Sequence, residues 1–232
     1  MNDRTIQTDV PQALTDKILE SRKRLHREKP RVYEKLMTYL EREKDPDRRA
    51  ICLIDFGYNF DCNFNCRHCS ADFFQQQHPH QRLTVADVQK IMSEADEMGI
   101  FIINLIGGEP LIWPDLDELI RTIGPHRFFI TITTNGWLLD LERAKHLAQL
   151  GVNKINVSID SGIAEEHDAF RQKKGAFDRA MEAVRNSLAA GLNTQISTVA
   201  THQNIYTDGF ERLLRIAHDL NIYFDIQCAT PS

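Results

Sequence analysis

The chain has 232 residues, of which 42% are hydrophobic and 26% are charged, and these proportions are ordinary for a globular protein with one main domain. Its net charge of −5 gives no reason to expect a nucleic-acid partner, because such partners usually require a basic excess. No apolar run approaches the roughly 18 residues that span a membrane, and the polar start lacks the apolar stretch of a signal peptide. We therefore expect a cytoplasmic protein, without a membrane association, whose thiols stay reduced.

The first 48 residues are densely charged and contain no glycine. Two helices are predicted there, over about 11–28 and 30–43. The second begins at Pro30, a residue suited to a first helical turn, and carries Val32 and Leu36 at helical spacing. We interpret residues 1–48 as an N-terminal helical extension packed on a main domain, 49–232. A partner-binding arm is the alternative.

From residue 50 onward, strand patterns alternate with amphipathic helical patterns. Six short β-branched or aromatic runs are predicted as strands: 51–56, 100–106, 127–133, 154–159, 194–199 and 222–227. Residues suited to a left-handed conformation follow the helical patterns: Gly99, Gly124, Gly151, Gly191 and Asn221. Thr84 and Asp87 have nearly the spacing and chemistry of a capping box at a helix start.

This alternation predicts an α/β fold with a parallel sheet and right-handed crossovers. A closed eight-unit barrel needs about 250 residues, which is more than the main domain offers. A partial (β/α)6 TIM-like barrel therefore fits best, with a doubly wound sheet as the alternative. In either architecture, functional residues follow the carboxyl ends of the strands.

Three of the five cysteines lie directly after the first predicted strand, in the spacing Cys62-x3-Cys66-x2-Cys69. Three thiolates on one loop can each bind one iron of a cubane cluster and leave the fourth iron open. Iron–sulfur clusters usually have four cysteine ligands, so the open iron could be chelated by an amine and a carboxylate. A zinc site would instead need a fourth ligand, for which the candidates are His68, His78 and His80. Unbound cysteines are a third interpretation.

Further motifs follow the next strands in order: GGEP at 107–110, TNG at 134–136, SID at 158–160 and EEHDAFR…GAFDRA at 165–180. Together with the cysteines, they make the sequence resemble the radical S-adenosylmethionine (SAM) superfamily over about residues 50–228. The likeness is greatest to the branch that contains molybdenum-cofactor and peptide-modifying enzymes. The resemblance implies a [4Fe–4S] cluster on the three cysteines and SAM as the second cofactor. It also implies reductive cleavage of SAM to a 5′-deoxyadenosyl radical that abstracts hydrogen from a substrate.

The resemblance assigns SAM binding to Gly107, Gly108 and Glu109. Since a glycine pair lets a ligand approach the backbone, we expect a side chain at Gly108 to displace SAM while leaving the cysteine loop intact. Ser158 and Asp160 suit a ribose or methionyl group, although both could simply cap the strand end. Arg171 could pair with the SAM carboxylate, or it could be a solvated arginine.

The resemblance also implies a small-molecule or peptide substrate and an electron donor such as flavodoxin or ferredoxin. Two other functions stay open: an activating enzyme of the glycyl-radical type, which acts on a partner protein, and a zinc-binding interaction domain. Many relatives continue past the sixth strand into a cysteine-rich region, whereas this sequence ends at CATPS. That ending leads us to expect a fragment, a partner or an oligomer.

Overall fold

The computed structural model describes residues 12–45, 47, 50–69, 71–77 and 82–228. Its strands are β1 (Leu53–Gly57), β2 (Ile102–Ile106), β3 (Phe129–Thr134), β4 (Val152–Ser158), β5 (Asn193–Ala200) and β6 (Tyr223–Cys228). Its helices are α1 (Gln12–Glu28), α2 (Pro30–Arg42), α3 (Asp72–Gln77), α4 (Val85–Glu97), α5 (Leu116–Ile123), α6 (Leu141–Gln149), α7 (Ala164–Arg171), α8 (Ala176–Ala189) and α9 (Asp208–Asp219). All six predicted strands are therefore present.

The six strands form one sheet in the order β1-β2-β3-β4-β5-β6, and every neighbouring pair is parallel. A doubly wound sheet would reverse its strand order at a switch point, and no reversal occurs between β1 and β6. The sheet is a curled half-barrel with β1 and β6 at its edges. The predicted partial (β/α)6 barrel is confirmed, and the doubly wound alternative is wrong.

Side chains alternate between the two faces of each strand. On the outer face, aliphatic side chains pack against the helices and are fully buried, including Ile103, Leu105, Ile130, Ile132, Ile155 and Val157. Burying each one contributes roughly 1.5–3 kcal/mol, so this layer sets the positions of the central strands β2, β3 and β4. The inner face carries polar residues instead. Asp55 is the register partner of Asn104, and both line the hollow of the half-barrel together with Thr133 of β3.

The predicted helix ends are confirmed. Left-handed residues follow the helices, with φ values of 83° at Gly99, 88° at Gly124, 92° at Gly151, 76° at Gly191 and 51° at Asn221. At the start of α4, the Thr84 hydroxyl accepts from the Asp87 amide while the Asp87 carboxylate accepts from the Thr84 amide. These local stop and start signals fix the length of the helices that cross over between strands.

Helices α1 and α2 lie at the end of the half-barrel where the strands begin, opposite the carboxyl ends of the strands. The Lys29 ammonium donates to the Phe128 carbonyl at 3.1 Å and to the Gly151 carbonyl at 2.8 Å, and Val32 is fully buried. Lys35 donates to the Ile100 carbonyl at 2.9 Å. Helix α2 and the turn before it thus contact the amino ends of the strands. The domain division itself stays a prediction, because residues 48 and 49 lie outside the described residues, as does Pro11.

Within the described residues, no helix combines the length and the apolar character that crossing a membrane would require.

Candidate functional site

A cavity of about 410 Å³ lies at the carboxyl ends of the strands. It is lined by eight of the nine predicted site residues: Cys62, Cys66, Cys69, Gly107, Gly108, Glu109, Ser158 and Arg171. The ninth, Asp160, does not line it. Residues that are more than 100 positions apart in the sequence therefore meet at one place, where a parallel barrel is expected to carry its function.

The cysteine loop runs between β1 and α3. The Phe64 amide donates to the Cys62 sulfur at 3.4 Å, and the Cys69 amide donates to the Cys66 carbonyl at 3.3 Å, which folds the loop on itself. Burial raises the pKa of the Cys62 thiol to about 11. Burial also raises the pKa of Cys66, although the Arg171 guanidinium opposes that shift. Binding iron here must therefore release protons from the thiols.

The donor set fits a cluster better than a single metal ion. All three thiols line one cavity, yet within the described ranges no three His, Cys, Asp or Glu side chains converge as ligands of one ion. A cubane places each thiolate on a different iron, so it does not require such convergence.

Among the candidates for a zinc ligand, only His68 lies in the described part of the chain; His78 and His80 fall outside it. The His68 ring stacks on Phe170 at 4.0 Å between centroids, and burial lowers its pKa to about 4. Its Nε2 lies 4.0 Å from an Asp160 oxygen. The described residues thus give no support to the zinc interpretation.

The glycines of GGEP pack against the chain that enters the cysteine loop. The Gly108 amide donates to the Asn59 carbonyl at 3.2 Å, and the Glu109 amide donates to the Asp61 carbonyl at 2.8 Å. Gly107 has a φ of 129°, and a β-carbon there would lie 2.3 Å from the Asn59 oxygen. The expectation that the GGEP and cysteine loops are independent is therefore wrong, because the missing side chains are what allow the two loops to touch.

Glu109 joins the GGEP loop to the TNG loop. Its carboxylate accepts from the Thr134 hydroxyl at 2.6 Å, the Asn135 amide at 2.7 Å and the Leu111 amide at 3.1 Å. Burial raises the pKa of this carboxyl, while the three hydrogen bonds oppose the shift. Asn135 is a turn residue, since its side-chain oxygen accepts from the Trp137 amide at 2.9 Å. The hydrogen bonds between the GGEP and TNG loops thus fix the positions of both loops at the opening of the cavity.

Arg171 is held beside the cysteine loop by Asp160. The Arg171 Nε donates to Asp160 Oδ2 at 2.6 Å, and its Nη1 lies 4.0 Å from the Cys66 sulfur. The other Asp160 oxygen accepts from the Val199 amide at 3.1 Å. Burial raises the pKa of Asp160, but the Arg171 guanidinium outweighs it and holds that pKa below its usual value. Arg171 is therefore not a solvated surface residue.

Three residues that the sequence analysis did not single out, Asp55, Asn104 and Thr133, line the same cavity from deeper positions on β1, β2 and β3. A signal for them existed. Asp55 in ICLIDF and Asn104 in IFIINLI are single polar residues within apolar runs, while in KINVSI the residues Lys154, Asn156 and Ser158 alternate with aliphatic ones. That pattern indicates a strand with one polar face, and the inner face of a barrel is where such a face would lie.

Comparison with known proteins agrees with this geometry. The chain is 32% identical over 156 residues to AdoMet-dependent heme synthase of Oleidesulfovibrio alaskensis, covering 67% of this chain and 40% of that protein. It is 33% identical over 156 residues to the mycofactocin maturase MftC of Mycobacterium tuberculosis, covering 67% of this chain and 39% of that protein. The chain thus spans only about 40% of the length of these two curated relatives.

Among solved structures, Streptococcus suis SuiB bound to its precursor peptide SuiA superposes with a TM-score of 0.66 at 18% identity. The match covers 85% of this chain and 44% of SuiB, and at that identity it supports the fold. The profile of the Radical SAM superfamily matches residues 59–220, which is more than half of the chain. The chain therefore belongs to the radical SAM superfamily, whose members use a [4Fe–4S] cluster and SAM.

Proposed function

We propose that this chain is the catalytic core of an enzyme that cleaves SAM reductively and uses the resulting radical to abstract hydrogen from a substrate. The observation that carries the proposal is the single cavity that brings the three cysteines together with Gly107, Gly108, Glu109, Ser158 and Arg171. When bound, the cluster would supply one electron to the sulfonium of SAM, whose carbon–sulfur bond would break to give methionine and the 5′-deoxyadenosyl radical.

The cysteine loop would hold the cluster, with one iron on each of Cys62, Cys66 and Cys69. Its fourth iron would stay free for the amine and carboxylate of SAM. The loop is suited to this because it packs on the GGEP loop through backbone hydrogen bonds, so the cluster site and the strand end are held at a fixed separation.

The SAM contacts would come from the strand ends. Gly107 and Gly108 leave room for the ligand beside the backbone, and Ser158 offers a hydroxyl from the last position of β4. Arg171 donates through Nε to Asp160 and through Nη1 to the Cys66 sulfur, which leaves its Nη2 to pair with the SAM carboxylate. We assign Asp160 to positioning Arg171 instead of touching SAM, because it lies behind the cavity wall.

The substrate would be a peptide, a natural-product precursor or a cofactor precursor. A peptide is supported by the likeness to mycofactocin maturase MftC. It is also supported by the shared fold with SuiB, a protein that binds the precursor peptide SuiA. A cofactor precursor is supported by the likeness to AdoMet-dependent heme synthase. The electron would come from a carrier such as flavodoxin or ferredoxin.

The test is SAM cleavage by anaerobically reconstituted protein with a strong chemical reductant, measured as 5′-deoxyadenosine released. We expect a brown protein that cleaves SAM slowly without substrate. Cys66→Ala should abolish cleavage, since one iron loses its thiolate. Cys52→Ala is the matched control. That residue lies outside the cavity, just before β1, and its carbonyl accepts from Phe101 and Ile102. Full cleavage by the Cys66→Ala protein, or zinc in place of iron, would contradict the proposal.

A further inference from the structure

A hydrogen-bonded row of polar side chains crosses the inner face of the sheet just below the strand ends. We name it the inner ladder and define it as Asp55, Asn104, Thr133 and Asn156. Asn104 Nδ2 donates to Asp55 Oδ1 at 2.7 Å, Thr133 Oγ1 donates to Asn104 Oδ1 at 3.1 Å, and Asn156 Nδ2 donates to Thr133 Oγ1 at 3.1 Å. Each residue lies one or two positions before its strand's end, which places the ladder roughly 3–7 Å below the strand ends.

The direction of these hydrogen bonds is fixed by the carboxylate. An ionised carboxylate only accepts hydrogen bonds, so the Asn104 amide must turn its NH₂ group toward Asp55 and its oxygen toward Thr133. The Thr133 hydroxyl then donates to Asn104 and accepts from Asn156. Every donor in the row therefore points toward Asp55, and the row ends in acceptors on both sides.

Two of these acceptors have no donor. Asn156 Oδ1 is buried without a hydrogen-bond partner, in a residue that is only 8% exposed. Across the described ranges, no donor reaches Asp55 Oδ2 and no cationic side chain comes within 4.0 Å of Asp55. The unpaired Asn156 oxygen costs about 1–3 kcal/mol, because it is a buried acceptor without a partner. Asp55 is exposed instead, so its free oxygen is reached by solvent and is open to a ligand in the cavity.

The other carboxylates at the cavity are already used. Both oxygens of Glu109 accept from the TNG and GGEP loops, and Asp160 is paired with Arg171. Deeper in the half-barrel, Asp225 accepts from Ser197 and attracts Lys154. Asp55 is thus the carboxylate in the cavity wall that is left to meet a ligand, and its neighbours offer no cation to neutralise it.

We propose that the inner ladder is the substrate subsite for a cationic amine or guanidinium group. Asp55 is its specificity-determining residue, and Asn104 and Thr133 position the Asp55 carboxylate. This inference rests on the proposed function, since it takes the substrate to be what enters the cavity below the cysteine loop. It narrows the substrate class to molecules that present a positively charged N–H donor to the inner face of the sheet.

The test uses three small probes on reconstituted, SAM-loaded protein under anaerobic conditions, with dissociation constants measured by ligand-observed NMR. Nα-acetyl-lysine amide presents an ammonium on a peptide-like frame, n-butylammonium presents it as a free amine, and Nα-acetyl-norleucine amide lacks it. We expect the lysine probe to bind about 3–5-fold tighter than the norleucine probe, as for a partly exposed ion pair. Tight binding of n-butylammonium as well would identify a free amine as sufficient, whereas preference for the lysine probe alone would identify a peptide.

Asp55→Asn should remove this preference while leaving the affinity for the norleucine probe unchanged. Thr133→Val should reduce the preference for the lysine probe, because the Asn104 side chain loses the hydroxyl that orients it. Thr133→Ser keeps the hydroxyl and should keep the preference. Asp219→Asn, on the exposed end of α9, is the matched control and should change nothing.

Equal affinity for the lysine and norleucine probes, or a preference that survives Asp55→Asn, would overturn the inference. Failure of the proposed function is a separate result. A protein that prefers the lysine probe but releases no 5′-deoxyadenosine keeps the subsite and loses the proposed reaction. A protein that cleaves SAM but shows no preference for the ammonium probe keeps the proposed reaction and loses the subsite.

Discussion

The backbone of Asp61 closes directly over Gly108: a β-carbon on Gly108 would lie 1.9 Å from the Asp61 carbonyl oxygen. No flexible side chain is available to move aside, because the atoms in contact belong to the main chain of the segment that leads into Cys62. The geometry of the cysteine loop and the geometry of the SAM-facing strand end are therefore set together.

We expect Gly108→Val to lose iron as well as SAM affinity, because the valine side chain must push the 60–61 backbone and with it the cysteine loop. Iron per chain after reconstitution and SAM affinity are the two measurements. Gly175→Ala is the control, since no atom lies within 4 Å of its β-carbon position. It should cost about 1–2 kcal/mol from its left-handed backbone and leave iron content unchanged. A Gly108→Val protein with full iron would contradict the contact.

Asp160→Ala should lower the free energy of unfolding by about 3–5 kcal/mol, because it leaves the Arg171 guanidinium buried without its partner. SAM affinity should fall too, since Arg171 loses the contact that orients it. The double variant Asp160→Ala/Arg171→Met should recover part of the stability but none of the SAM affinity. Urea unfolding and SAM binding measure the two effects. Additive losses in the double variant would refute the coupling.

Glu109→Gln should destabilise the protein by about 1–3 kcal/mol. The carboxylate accepts three hydrogen bonds, and an amide of the same shape must turn its NH₂ group toward at least one of those donors. Thermal unfolding measures the loss. Glu118→Gln removes the same charge from the exposed face of α5 and should stay within about 0.5 kcal/mol of the parent. Equal stability of the two variants would mean that Glu109 does not tie the loops together.

Lys29 should make stability depend on pH in a defined window. Burial lowers its pKa from 10.5 to about 8, so between those values the unfolded chain binds more protons than the folded chain. Lys29 therefore contributes stability that is fully present above pH 10.5 and is lost as the pH falls through about 8. Lys29→Met should remove this dependence.

Lys29→Met also leaves the Phe128 and Gly151 carbonyls without their donor, but at pH 7 it removes a charge that burial disfavours. The substitution should therefore cost less stability at pH 7 than above pH 10.5. The measurement is urea unfolding of both proteins across the range, taken as the difference between them, so that other titrating groups cancel. A pH-independent difference would show that the Lys29 ammonium is not desolvated in the folded protein.

The sequence predicts the elements of this fold well because their signals are local. A glycine that follows an amphipathic run ends the helix in a left-handed conformation, and Thr84 with Asp87 begins one, so the positions of Gly99, Gly124 and α4 follow from short segments alone. The cysteine spacing and the strand-end motifs predict the cavity for a related reason. The carboxyl ends of parallel strands must meet at one edge of the sheet.

The contacts between loops are not predictable in the same way. Asp55 and Asn104 are 49 positions apart, and their hydrogen bond depends on the register between β1 and β2. The contact between Gly108 and Asp61 depends on how closely two loops from neighbouring strands approach each other. The pairing of Asp160 with Arg171 depends on the path of α7 over the barrel mouth. Each is set by packing over the whole sheet, which no local pattern specifies.

The lysines of α2 and of the turn before it hold the barrel through its backbone. Lys29 and Lys35 donate to carbonyl groups at the amino ends of the strands, namely those of Phe128, Gly151 and Ile100. A carbonyl is present whatever side chain its residue carries, so substitutions inside the barrel would leave this attachment intact. The attachment of the two helices to the barrel therefore does not depend on which side chains the strands carry. Substitutions in the inner ladder that change the substrate would leave these lysine–carbonyl hydrogen bonds in place.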